Sequence, residues 1–128
     1  VLCMPYQPLA QLSASLSAAD AHVISMGAAM LGIVHPCKIY NILSVAAPVV
    51  YIGPKPSHVT EILDQLGDQY AAVLVEHGEA DILAEQIQTM RQKTSGSRKP
   101  LPPETTAVFS KAVLLPRLIA TLEELRGG

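Results

Sequence analysis

Short apolar runs alternate along this chain with apolar residues at helical spacing, and that alternation predicts an α/β fold: a Rossmann-like parallel sheet with flanking helices. Two further observations point the same way. Val49 to Ile52 is apolar throughout, as a strand covered on both faces of a parallel sheet must be. Pro5, Gly27, Gly53-Pro54 and Gly67 stand where runs end, as turn residues should.

In chain order, Val1 to Met4 reads as a strand stopped by Pro5. Leu9, Leu12 and Leu16 share one helical face. Ala21 to Met26, with the β-branched Val23 and Ile24, reads as the second strand, and the Gly- and Ala-rich Gly27 to His35 as a loop. Pro36 has no N–H to leave unpaired and suits an early helical position; the helix it opens should run to about Ala46. Val49 to Ile52 is the third strand and Gly53-Pro54-Lys55-Pro56 a turn. Ser57 is expected to cap a helix that buries Val59, Ile62, Leu63 and Leu66 and ends at Gly67. Ala71 to Val75 is the fourth strand; Asp81 to Gln92 should be a helix with Ile82, Leu83, Ile87 and Met90 inward. Thr94 to Pro103 reads as an exposed connection, and Ala107 to Leu125 as a helix kinked or broken at Pro116. The organisation expected is a partial Rossmann-like domain over 1–103 and a helical segment over 104–128.

The chain has 128 residues, of which 49% are hydrophobic and 16% charged, so an aliphatic core is expected and disorder is not. A formal net charge of −2 without a dense basic stripe argues against a nucleic-acid module. Cys3 and Cys37 do not make a disulfide scaffold and read as reduced thiols of a cytoplasmic protein. No run reaches transmembrane length. The chain opens at Val1 inside an apolar run without an initiator Met, so its natural start is expected upstream.

The most informative stretch runs from Gly32 to Asn41. A loop feeding a helix gathers free N–H groups and the positive end of the helix dipole, a natural place for phosphate. The amides of Gly32, Ile33 and Val34 are candidates for that contact, and Lys38 in the first turn adds a full charge. In parallel sheets ligands sit beyond the carboxyl ends of the strands, where Pro5-Tyr6-Gln7, Gly27 to His35 and Gly53-Pro54 should converge.

Pro36-Cys37-Lys38-Ile39-Tyr40-Asn41, followed by Pro48-Val49-Val50, resembles the "PSK-[LIF]-Y" motif and "PV" strand of group 1 (family 4) glycosyltransferases of the polysaccharide-biosynthesis type. Ser17 to Val23 is similar to their "AAAD" helix end and next strand; Phe109-Ser110-Lys111 and Leu114 to Arg117 resemble their C-terminal helix. The resemblance implies the C-terminal, donor-binding half of a GT-B fold. It implies a retaining transferase whose substrate is a UDP- or GDP-linked sugar and whose acceptor is a glycan or lipid-linked sugar in capsule, exopolysaccharide or lipopolysaccharide synthesis. The parent would lie in the cytoplasm or at the inner face of the membrane, and the isolated piece would be inactive. Donor binding then falls to Gly32, Ile33, Val34, Lys38 and Asn41, with Asn41 on the ribose and Tyr6 on the base; no cofactor is implied, no metal is assigned, and the catalytic residues are unknown. The paired glutamates of many members fall at Ile33 and Asn41, neither a carboxylate, and Ala46 stands where the family has Gly.

Each residue also has a plainer reading. Lys38 and Asn41 fit a solvated helix face, and Tyr6 a surface ring. His35 and Cys37 lack the further ligands of a zinc site, which rejects metal there. His22 reads as a satisfied core or edge histidine, His58 and Glu61 as surface helix residues, and His77-Gly78 as a turn. Ser110 has no recognisable His/Asp partner. Two other functions remain open: a nucleotide-sugar epimerase of the same fold and a non-catalytic α/β assembly module. An exposed apolar stripe is expected on the last helix at Leu118, Ile119 and Leu122, fit for a homodimer contact.

Overall fold

The structure, a computed structural model, describes residues 2–94, 98 and 100–126. The fold is α/β: three parallel strands in the order β1 (His22–Ser25), β2 (Val49–Ile52), β3 (Ala72–Val75), flanked by helices in a Rossmann-like arrangement. The register aligns His22, Val49 and Ala72 at the amino ends and Ser25, Ile52 and Val75 at the carboxyl ends.

One face of the sheet carries the main core. Ile24, Val49 and Tyr51 pack there against α2 (Lys38–Ser44) through Ile39, Ile42 and Leu43, and against α3 (His58–Leu66) through Val59, Ile62, Leu63 and Leu66. The other face is smaller: Val50, Val73 and Val75 meet Leu83 and Met90 of α4 (Ala80–Thr94). A short helix α1 (Leu12–Ser17), preceded by a 3-10 turn, is tied to β1 where the buried His22 Nε2–H donates to the Leu16 carbonyl at 2.9 Å. Leu101 and Phe109, around α5 (Pro103–Ala107), pack on the main core; α6 (Lys111–Arg126) runs through Pro116.

The sheet leaves two open edges. Main-chain bonds from His22 to Pro48 and from Met26, just past β1, to Ile52 turn those amides toward β2, so the main-chain groups of Val23 and Ser25 point outward. Lys38 Nζ donates to the Val23 carbonyl there at 3.2 Å. On β3, Lys55 Nζ donates to the outward Leu74 carbonyl at 2.9 Å. Bare strand edges invite further pairing, and charged side chains on them discourage it.

Several expectations need correction. Leu2 to Met4 is not a strand: Leu2 and Met4 are largely exposed, and Lys38 occupies the neighbouring edge of β1 (Val1 lies outside the described residues). The sheet therefore has three strands among the described residues rather than four. Ile82 and Ile87 of α4 face outward, because the helix packs along β3 and a single line through Leu83 and Met90 covers the smaller face. The connection expected over Thr94 to Pro103 is not all surface: the Arg98 guanidinium donates to the Ala19 carbonyl and Leu101 joins the core (Ser95 to Ser97 and Lys99 lie outside the described residues). The stripe of Leu118, Ile119 and Leu122 on α6 is exposed.

Candidate functional site

Three strand-to-helix connections meet at the carboxyl edge of the sheet. The connection between β2 and α3 is tightly made. A Cβ on Gly53 would lie 2.7 Å from the Tyr51 hydroxyl and 2.8 Å from the Met26 carbonyl oxygen, so only glycine lets the end of β1 pass so close. Tyr51 donates to the Pro54 carbonyl at 3.1 Å. Ser57 and Thr60 then form a reciprocal capping box that satisfies two amides at the start of α3. From the third connection, His77 Nε2–H donates to the Met26 carbonyl at 2.9 Å and clasps the ends of β1 and β3.

The connection between β1 and α2 is longer and differently built. Its chain turns at Gly32, where φ is 76°, a conformation that favours glycine. The Ile33 and Val34 amides both donate to the Met30 carbonyl, at 3.1 and 3.0 Å. These two N–H groups are thus engaged within the loop rather than held open for phosphate. Cys37, at the N-cap of α2, makes no side-chain cap bond, and its backbone is already helical. Lys38 reaches back to the outward edge of β1. Asn41 is exposed on α2. Tyr6 is fully exposed on a segment without regular structure. Of the expected donor contacts, the structure brings Gly32, Ile33, Val34, Lys38 and Asn41 into one loop-and-helix unit; Tyr6 is not held with them.

Three side chains from separate parts of the sequence come together here. Tyr40 Oη lies 2.8 Å from His35 Nε2 and 2.9 Å from His58 Nε2. The imidazole centroids are 4.0 Å apart, and Tyr40 leans on Phe109 at 5.1 Å. His58 Nδ1 faces the Glu61 carboxylate at 3.9 Å. Partial burial lowers the His58 pKa below its usual value, with the nearby His35 acting in the same direction and Glu61 against it. Tyr40 is pushed up by burial and by Cys37. The signal was the pair of polar rings flanking Pro36 and Ser57, but their meeting depends on how α2 and α3 lie side by side. Among the described residues, no group of three or more His, Cys, Asp or Glu side chains is placed to hold a metal, and no helix is long and apolar enough to cross a membrane.

A hollow of about 870 Å³ lies elsewhere, along the edge of β3 between α3 and α4. Comparison with protein-family models, with curated proteins and with solved structures finds no match to this chain.

Proposed function

We propose that this chain is the nucleotide-sugar-binding part of a retaining glycosyltransferase, one that adds a sugar to a glycan or lipid-linked acceptor at the cytoplasmic face of a membrane. The observation that carries the reading is the convergence of three strand-to-helix connections on the carboxyl edge of a parallel sheet, where such sheets take their ligands. The backbone at Ala46 supports the resemblance. Its φ of 50° is the left-handed conformation that accounts for a glycine at that place in the similar family.

Under this reading Lys38 meets the diphosphate. Its present partner is an exposed carbonyl, which a phosphate can displace with a stronger, charge-assisted bond. The charge that gathers on the departing phosphate would be offset there. Asn41 would accept from ribose hydroxyls through its side-chain carbonyl, without the charge of a carboxylate.

A second reading, a non-catalytic assembly module, is favoured by the engaged Ile33 and Val34 amides and by the exposed apolar stripe on α6. Titration with UDP, GDP and UDP-sugars, followed by amide chemical shifts, separates the two. Shifts between Gly32 and Asn41 support donor binding; silence at roughly millimolar ligand, a limit near 4 kcal/mol of binding, supports the module.

A further inference from the structure

Proton counting gives the cluster at the carboxyl edge a direction. The Tyr40 hydroxyl has one hydrogen and sits between two imidazole nitrogens, so it donates to one ring and accepts from the other. The Glu61 carboxylate faces His58 Nδ1 and favours a proton there. His58 Nε2 then accepts from Tyr40, and Tyr40 Oη accepts from His35 Nε2–H. This assignment of tautomers, read from the hydrogen-bond network, leaves His35 Nδ1 as the basic atom of the chain.

We propose that the His35–Tyr40–His58 cluster is a proton-gated subsite for a phosphate-class anion, with His35 Nδ1 the atom that takes up the proton. It deepens the donor-site reading and rests on that reading for the nucleotide, but not for the phosphate. Both rings are exposed at the edge where ligands bind, yet Tyr40 holds them with centroids 4.0 Å apart. Two imidazolium ions at that spacing repel, and a bound anion removes the repulsion. Protonation and anion uptake therefore reinforce each other. The titratable groups facing the pair are Tyr40 from α2 and Glu61 from α3; Cys37, at the N-cap of α2, acts on Tyr40, against which the C-terminal segment sets the uncharged ring of Phe109. Glu61 offsets one positive charge and leaves His35 to dominate. A phosphate oxygen suits the protonated His35 because it takes a charge-assisted N–H bond from Nδ1, the one ring nitrogen of the pair that Tyr40 and Glu61 leave open.

The test is a pH titration of the histidine ring resonances of the full chain, with and without inorganic pyrophosphate. Pyrophosphate should raise the pKa of His35, and less so of His58, by about half a unit or more, which requires about threefold or greater tightening between neutral and acid pH. The Tyr40→Phe variant keeps a ring on Phe109 and should uncouple the two titrations. The double variant His35→Gln/His58→Gln, its fold checked by the β2 amide shifts, should lose the pH dependence. Identical titrations with and without pyrophosphate, or unaltered binding by the double variant, would overturn the proposal. A UDP arm keeps the two ideas apart. If pyrophosphate moves both rings and UDP binds no tighter, the phosphate subsite stands and the nucleotide reading falls. If UDP binds while the rings stay unmoved, the reverse holds.

Discussion

Helices α2 and α3 lie on the same face of the sheet, each following a strand, yet they are held in opposite ways. α3 carries its own stop and start signals: the Ser57–Thr60 capping box at one end and Gly67, at φ 52°, at the other. α2 has neither. Its N-cap, Cys37, makes no side-chain bond. At its far end the Ala46 amide bonds to the Leu43 carbonyl and the Ala47 amide to the Ile42 carbonyl. That is a Schellman ending, but with alanine rather than glycine at φ 50°. α2 is held instead by burying Ile39, Ile42 and Leu43 completely or nearly so. A helix that relies on tertiary burial leaves its polar end available for other partners, whereas α3 has already answered its own.

The sharpest way to break this contrast is at the turn before α3. Gly53→Ala forces a Cβ against the Tyr51 hydroxyl and the Met26 carbonyl, and should destabilise the fold by about 2–3 kcal/mol in urea unfolding. A loss below about 0.5 kcal/mol would mean the turn is not rigid. Next, Ser57→Ala removes the box and should lower stability by about 1–2 kcal/mol. Ala46→Gly should act in the other direction, raising stability by about 1 kcal/mol, because glycine adopts a left-handed backbone without the alanine penalty. Cys37→Ser tests whether the bare start of α2 is a matter of side chain or of backbone. With Cys37 already helical, a serine cannot take the extended conformation of an N-cap, and the unfolding midpoint should shift by no more than about 0.5 kcal/mol equivalent.

The smallest effect concerns pH. The folded His58 pKa lies below its usual 6.5, first through burial and then through His35. The unfolded chain therefore binds the proton more readily, and stability present above about pH 6.5 is lost as the solution becomes more acid. Urea midpoints at neutral and acid pH should show the decline, and His58→Gln should flatten it.

Features fixed by neighbours in sequence were legible. β2 spans Val49–Ile52 as read, Ser57 caps α3, Gly67 ends it, and its apolar face is buried. Local spacing and turn chemistry suffice for these. Leu2 to Met4 was not legible, because a short apolar run becomes a strand only where an edge receives it. The inward face of α4 was overdrawn at Ile82 and Ile87, since the sequence does not say how wide a surface the helix covers. At the site, the unit of Gly32 to Asn41 was legible as a loop entering a helix. The internal bonding of its amides was not, nor were the links that span the chain. His77 meets Met26 from 51 residues away, and Tyr40 meets His58 from 18. Both depend on the placing of strands and helices, not on any local pattern.

Lys38 and Lys55 give the small sheet its boundaries, one ammonium on each outer strand. Acylating both amines would strip those guards and leave two unsatisfied main-chain rails on one molecule. An edge without its ammonium would offer less charge against pairing with a strand of another copy.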